Sequence, residues 1–497
     1  MKIYFYSGYL KGLAFIVLSV MAFVPSVFAQ WSSPQTLFQG TAVPEPGPFW
    51  VSPVIVTEKD PSGVIHLVWT NKVTDERNVL AHASYANGVW SQMEILPSDV
   101  NSSAMVPSIA ISSDGRLHVT YTCFLPNGSW GIVYTSKPTG GQWSQPVLVS
   151  GNEYLFNAYP QLFIDAQQDP HVIYVAYAEN GESTLLKHIK FSASNPAQVT
   201  QLTVPANTDQ AFNPRVVKSQ DGTIHCFWYR TSNDDSSIEH ASLTGNSWSA
   251  TNIIADSQNS SFMDESAIVP VATPSDEVYA VWYDIEDNAG NSKHYAPTEG
   301  WDQITRIDDP GFVMGSGISD NANYIHLTGN VNDLMNDIYD LKYHFFNGTQ
   351  WTHEIIEQST SSELPAFPAL AINGDTLFCF YTRVFESGGS ELAMSYRILD
   401  HLTPVANIPV NKEIALKVSP NPFHSSSVIS FVAGKKGEVR FILTDALGRN
   451  ETASIQVQET GVNAINLHSI FPRAHRKGVY ILKIVTPYGT DAVTLIK

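Results

Sequence analysis

The chain has 497 residues, 43% of them apolar, 11% aromatic and 15% charged, with 47 acidic against 28 basic side chains and a formal net charge of −19. This much apolar sequence builds a large core and excludes a disordered chain, while the negative balance disfavours nucleic acid or an anionic membrane surface as partner. Three cysteines, Cys123, Cys226 and Cys379, fall in separate repeats and are expected as buried free thiols, not as a disulfide framework or metal site.

The chain opens with Lys2 and Lys11, an apolar stretch over 13–23, Pro25 and Val27-Phe28-Ala29. That order predicts a secretory signal peptide over 1–29, cleaved after Ala29. No later stretch reaches the roughly 20 apolar residues of a spanning helix, so no transmembrane segment is expected. The protein is expected to act outside the cytoplasm.

From residue 30 a pattern recurs: a turn with Asp or Gly, then a short apolar run with His near its centre and an aromatic at its end. Val64-Ile65-His66-Leu67-Val68-Trp69 and Ile224-His225-Cys226-Phe227-Trp228 are two instances, and the pattern centres on 66, 118, 171, 225, 279, 326 and 378. A glycine-tryptophan beat runs out of phase, as in Gly88-Val89-Trp90 and Gly141-Gln142-Trp143, and predicts a turn into an outer strand. A third beat, Pro53, Pro107, Pro160, Pro214 and Pro368, predicts the start of each innermost strand, before the ladder needs its amide. A period of about fifty residues built only from short strands predicts an all-β fold, a seven-bladed β-propeller over 30–397, with six blades if the weak repeat near 319–327 is misread. The last repeat lacks its outer strand, and Gln30-Trp31-Ser32-Ser33-Pro34 repeats the cadence of Gln142-Trp143-Ser144-Gln145-Pro146. The N-terminal strand is therefore expected to complete the last blade and close the ring.

Residues 398–413, with Pro404 and Pro409, read as a linker. Seven strand-like runs over 414–497 then predict a small immunoglobulin-like β-sandwich. Ser419-Pro420-Asn421-Pro422-Phe423, Thr444-Asp445-Ala446-Leu447-Gly448-Arg449, Gly461-Val462-Asn463, Gly478-Val479-Tyr480 and terminal Lys497 together resemble the type A C-terminal sorting domain of the Bacteroidetes type IX secretion system. The resemblance implies that 414–497 engages that machinery during export and that the protein is then secreted or attached to the outer-membrane surface.

The repeats resemble, more loosely, the sialidase-like or BNR-repeat propellers of secreted bacterial proteins, although the Ser-x-Asp-x-Gly-x-x-Trp box and the Phe-Arg-Ile-Pro motif are absent. The resemblance implies a glycan-binding or glycan-cleaving propeller. The histidines at 66, 118, 171, 225 and 326 are expected to pack between blades, each with a backbone partner, and not to ligate metal.

Function is sought where second strands exit and innermost strands begin, at one mouth of the ring. The exits carry Asn71, Cys123, Glu179, Arg230, Asp284, Asn330 and Arg383, and nearby connections add Trp50, Tyr154, Phe156, Tyr159, Phe212, Asp264, Glu265 and Phe367. Arg230 and Arg383 suit a bidentate hold on an acidic sugar, Asn71 and Asn330 hydrogen bonding, and Trp50 and Phe156 ring stacking. Hydrolysis would use two of Glu179, Asp284, Asp264 and Glu265; elimination would pair Tyr159 as base with an arginine. A glycoside hydrolase, a polysaccharide lyase and a non-catalytic adhesin or scaffold all remain open, each with an extracellular glycan or glycoprotein as partner. No cofactor is expected; the acidic run 284–290 could hold Ca²⁺ but misses the spacing of a defined calcium loop.

Overall fold

The computed structural model describes residues 31–38, 54–399 and 416–496, apart from short internal stretches that include 178–183, 258–267, 285–287 and 332–338. The predicted signal peptide and most of the predicted linker lie outside them. The chain divides into two compact units, Met1–His401 and Leu402–Lys497. Both are all-β; among the described residues one four-residue helix, Leu467–Ile470, interrupts the strands, and no helix is long and apolar enough to cross a membrane.

In the first unit the strands fall into antiparallel groups that follow the sequence period. Ile55–Lys59, Ile65–Thr74 and Arg77–Ala86 pair in order, and the third strand also takes two short strands, Val89–Trp90 and Glu94–Ile95. The glycine-tryptophan beat thus marks an outer edge broken into two pieces; it recurs as Ser247–Trp248 with Asn252–Asp256 and as Gly300–Trp301 with Thr305–Ile307. The second and third groups are joined into one eight-stranded sheet by a parallel bridge between Trp130 and Phe156. In the seventh group Gln35–Phe38 lies outside Ser390–Ile398, with Gln35 opposite Met394 and the Ser32 amide donating to the Tyr396 carbonyl at 2.8 Å.

Packing explains the unbroken apolar runs of the second strands. Successive side chains leave opposite faces, and here both faces are covered. Trp69 and Leu67 pack with Phe380 and Met394 of the seventh group, while Val68 between them packs with Val119 and Leu117 of the second. Phe227 joins Trp282 of the fifth group, while Cys226 and Trp228 join Ile173 of the third. Trp69 and Trp282 are fully buried, and truncating such a residue to alanine costs about 3–5 kcal/mol. The three cysteines are buried free thiols.

The proline beat needs correction. Pro107, Pro160, Pro214 and Pro368 lie inside the innermost strands Ser103–Ile111, Phe156–Ile164, Gln210–Lys218 and Glu363–Asn373, each within a register shift. At each shift two residues oppose one: Val106-Pro107 faces Tyr121, Tyr159-Pro160 faces Tyr174, Asn213-Pro214 faces Trp228, and Phe367-Pro368 faces Tyr381. A β-bulge leaves one amide outside the ladder, so proline costs nothing there. The residues before the prolines, Val106, Tyr159, Asn213 and Phe367, have φ of +53°, +57°, +49° and +54°, a left-handed conformation that side chains other than glycine rarely adopt.

The Leu402–Lys497 unit holds two antiparallel sheets, Lys417–Ser419 with Val428–Ala433 and Gly461–Asn466, and Asn450–Val457 with Gly437–Asp445, Val479–Thr486 and Gly489–Ile496. One core of Phe431, Phe441, Leu482 and Leu495 draws on both, with the rings of Phe431 and Phe441 edge to face at 5.5 Å.

The mid-strand histidines take side-chain partners, not backbone ones. His66, His171 and His225 pair through Nδ1 with Nε2 of His82, His188 and His240 on the third strand, at 3.1, 2.9 and 3.1 Å. His118 and His326 pair with the hydroxyls of Tyr134 and Tyr343 at 2.8 and 2.6 Å. On the far side, Nε2 of His171 and His326 meets Asp165 and Asp320, each at 3.1 Å, and Nε2 of His118 meets Ser112. In the third and sixth groups the turn carboxylate and the histidine therefore form a buried polar chain across the sheet; in the second a serine takes the carboxylate's place, and in the first Asp60 stands 3.6 Å from His66 Nε2. Burial disfavours imidazolium and pushes His82, His118 and His225 down to about 4 and His188 and His240 to about 3, with His171 and His225 adding repulsion to the last two.

These rings are neutral in the fold at pH 5 but protonated in the unfolded chain, whose histidines titrate near 6.5. Their stabilisation is complete above about pH 6.5 and is lost as pH falls, each such ring removing up to about 1.4 kcal/mol per pH unit. Urea-unfolding midpoints should hold level from pH 8 to 7 and drop steeply from 6.5 to 4.5. His188→Tyr, which copies Tyr134 and Tyr343, should keep neutral-pH stability and shallow the acid slope by about one proton; midpoints that stay level down to pH 5 would contradict the account.

Candidate functional site

Innermost strands of six groups line a cavity of about 1270 Å³. The residue just past each register shift lines it: Ser108, Gln161, Arg215, Ser316 and Ala369. Two of these serve the scaffold, since Ser108 Oγ accepts from the Leu162 amide at 2.9 Å and Ser316 Oγ from the Leu370 amide at 3.2 Å, each tying one innermost strand to the next. Gln161 Nε2 donates to the Pro160 carbonyl at 3.0 Å, leaving its acceptor side to other partners. Arg215 is the cation of the set: burial lowers it to about 10, with the nearby Tyr159 acting the other way. Glu58, reached by water inside the cavity but enclosed by the surrounding strands, is pushed by that burial up to about 7, against the pull of Lys59.

The two arginines chosen from the sequence are committed to protein carboxylates. Arg230 donates from Nε to Glu239 at 2.8 Å and from Nη2 to Asp235 at 3.0 Å, and Glu239 also accepts from Trp228 Nε1 at 3.0 Å. Arg383 donates to Glu357 at 2.9 Å, to Glu391 at 2.8 Å and to Glu363; despite partial burial, these carboxylates raise its pKa. The bidentate fork expected for an acidic sugar is therefore turned inward at both positions. Thr36 Oγ1 also donates to Glu391 at 3.0 Å, so the N-terminal strand shares this cluster.

The other residues chosen from the sequence divide three ways. Asn71 is buried, and Asn330 lines the cavity, donating to the carbonyls of Pro365 at 2.7 Å and Tyr339 at 3.3 Å. Asp284 is buried with Asn291 Nδ2 at 3.4 Å, and Asn288 accepts from the Tyr283 hydroxyl, so these oxygens of the acidic run are engaged within the protein. Among the described residues no group of three His, Cys, Asp or Glu side chains is placed to hold a metal ion. Tyr159 is buried at its bulge, and Phe156 packs edge to face on Tyr177 at 4.6 Å. Trp50, Glu179, Asp264 and Glu265 lie outside the described residues.

Arg215 and Gln161 were not singled out by the sequence pattern, although a signal existed: both follow a repeat proline directly. Treating the proline as a strand start hid it, because only a bulge makes the next side chain equivalent around the cavity.

No sequence family matches the chain, and no curated protein is similar enough in sequence to match. Solved structures do match in three dimensions. The BP39L lectin from Burkholderia pseudomallei has a TM-score of 0.50 at 11% identity, over 69% of this chain and 98% of the lectin. The polysaccharide lyase Uly1 has 0.48 at 10%, over 77% and 94%, and Trypanosoma rangeli sialidase 0.45 at 8%, over 93% and 88%. The chain shares the β-propeller fold of such proteins. At these identities the likeness is one of fold.

Because Arg383 neutralises a group of three partly buried carboxylates, Arg383→Ala should destabilise the fold by about 1–3 kcal/mol, between an exposed and a buried ion pair. Arg383→Lys should recover only part, since an ammonium cannot bridge three planar partners. Urea unfolding at pH 7 checks both; an alanine variant as stable as wild type would show the arginine free for another role.

Proposed function

We propose that this protein is an exported β-propeller that binds a glycan at the cavity mouth where second strands exit and innermost strands begin. The observation that carries the reading is the cavity lining itself: a cation, Arg215, and an amide, Gln161, on the innermost strands of the fourth and third groups, with Asn330 and the aromatic Phe367 contributed by the sixth and seventh. Polar groups that fix orientation beside rings that take apolar faces suit a sugar. Solved propellers of this fold include a lectin, a polysaccharide lyase and a sialidase.

The proposed ring has seven blades and is closed. Thr57 Oγ1 donating to the Leu370 carbonyl at 2.6 Å, and a core shared by Trp69 and Phe380, support contact between the first and last blades. The N-terminal strand beside Ser390–Ile398 then serves as the last blade's outer strand. For the C-terminal unit we propose an immunoglobulin-like sorting domain engaging type IX secretion, on the motifs around Ser419, Thr444 and Gly461. The signal peptide over 1–29 would start that export.

Binding is the primary reading because Arg230, Arg383 and Asp284 are engaged by protein groups. A lyase is the second and weaker reading, since Tyr159 lies near Arg215 but is buried among Val106, Ala158 and Val175 and is not among the residues that line the cavity. Elimination needs that pairing of a phenol to take a proton and a cation to neutralise a uronate.

A polysaccharide and glycan array should give binding by wild type, with Arg215→Met lowering affinity at least about tenfold, near 1.4 kcal/mol. Incubation with uronate polysaccharides should yield unsaturated ends if the lyase reading holds, and Tyr159→Phe should then stop product while keeping binding. A blank array at every glycan overturns the binding reading.

A further inference from the structure

Six aromatic rings form an unbroken file along the strand ends of the second, third and fourth groups. Phe124 and Trp130 are cross-strand partners with centroids 5.1 Å apart. Trp130 meets Phe156 at 5.7 Å across the parallel bridge that welds the second group to the third. Phe156 meets its cross-strand partner Tyr177 at 4.6 Å. Tyr177 reaches Phe212 of the fourth group at 6.3 Å, and Phe212 reaches Tyr229, its own partner, at 6.4 Å. Cross-strand aromatic pairs are common in sheets; here three of them are linked end to end.

The file is open to solvent and held still. Phe124 is 38% exposed and neighbouring Leu155 63%, while Trp130, Phe156, Tyr177 and Phe212 are half-buried; the sixth ring, Tyr229, is buried and backs Phe212, so the accessible track is five rings long. Its middle is pinned from behind: the Trp130 amide donates to the Leu155 carbonyl at 2.8 Å, and Asn157 Nδ2 donates to the carbonyls of Trp130 and Tyr154 at 3.0 and 3.3 Å. A small apolar cluster of Val106, Ala158, Tyr159 and Val175 lies against Phe156 and Tyr177, apart from the cores between groups.

We propose that this file is a docking track for a linear polysaccharide, whose successive sugar rings lay their apolar faces against it. The inference rests on the reading that the mouth binds glycan, and adds that the ligand is a chain of several sugars, not a single terminal residue. Width decides the occupant: the track is one ring across, whereas a stable protein partner needs about 800 Å² on each side. Preorganised rings stack a flexible chain without an ordering cost of their own.

The test uses two titration ladders, β-linked gluco-oligosaccharides and oligouronates, each from monosaccharide to hexasaccharide, followed by calorimetry and tryptophan fluorescence. Affinity for at least one ladder should rise at least about tenfold from the shortest to the longest member. Phe124→Ala and Trp130→Ala should each lose at least about tenfold on the hexasaccharide and much less on the monosaccharide. Phe124→Ala, at the exposed end of the file, guards against misfolding at the weld, and Trp130→Phe should restore most binding. Wild-type binding that is independent of length, or unchanged in Phe124→Ala, overturns the track while leaving glycan binding intact. Absence of binding to both ladders overturns the track, and with a blank array the glycan reading falls too. A wild-type dimer dissociated by Phe124→Ala, seen by sedimentation, would assign the rings to a second copy and overturn the track.

Discussion

Burial of both faces of every sheet is the constraint from which the rest of the first unit follows. A second strand such as Ile224–Thr231 sends Cys226 and Trp228 to one neighbouring group and Phe227 to the other, so no group can shed a neighbour without exposing half its core. At about 25 cal/mol per Å² of apolar surface, losing one such interface would outweigh any polar contact nearby. Hence the apolar runs are continuous and β-rich, and polar chemistry is pushed to the strand ends and the cavity.

The same constraint explains why histidine can repeat inside the sheets without serving a reaction. A buried ring is most stable with both nitrogens paired, and the fold achieves this at His118, His171 and His326 with a turn carboxylate or hydroxyl on one side and a His or Tyr on the other, as in Asp165, His171 and His188. Substitution of Tyr134 and Tyr343 for the outer histidine keeps the Nδ1 partner while changing the titrating group. That exchange marks the contact as a packing and hydrogen-bonding requirement, met by any group that can reach and pair.

Much of the fold was legible because strand period, turn residues and the aromatic ending each run are local signals. The alternation of Leu67, Val68 and Trp69 needs no partner to be read, nor does the turn before His66. Less of the site was legible. The carboxylates that hold Arg383 come from three strands, Trp351–Glu357, Glu363–Asn373 and Ser390–Ile398, and only the assembled sheets bring them together. The repeat proline misled for a physical reason: a strand start and a bulge both spare an amide, and sequence alone does not separate them.

The bulges also bear on where function resides. Left-handed φ at Val106, Tyr159, Asn213 and Phe367 costs roughly 1–3 kcal/mol each, and proline next door narrows the options further. The shift of the sixth group differs, because Gly315 stands there without a left-handed φ. At two of these positions the side chain offsets the strain: Val106 and Tyr159 fill the apolar cluster against Phe156 and Tyr177, and burying a side chain of that size returns about 1.5–3 kcal/mol. Strain at the second and third groups is thus offset by the same apolar packing that supports Phe156 and Tyr177, which ties the bulges to the strand ends where the aromatic file runs.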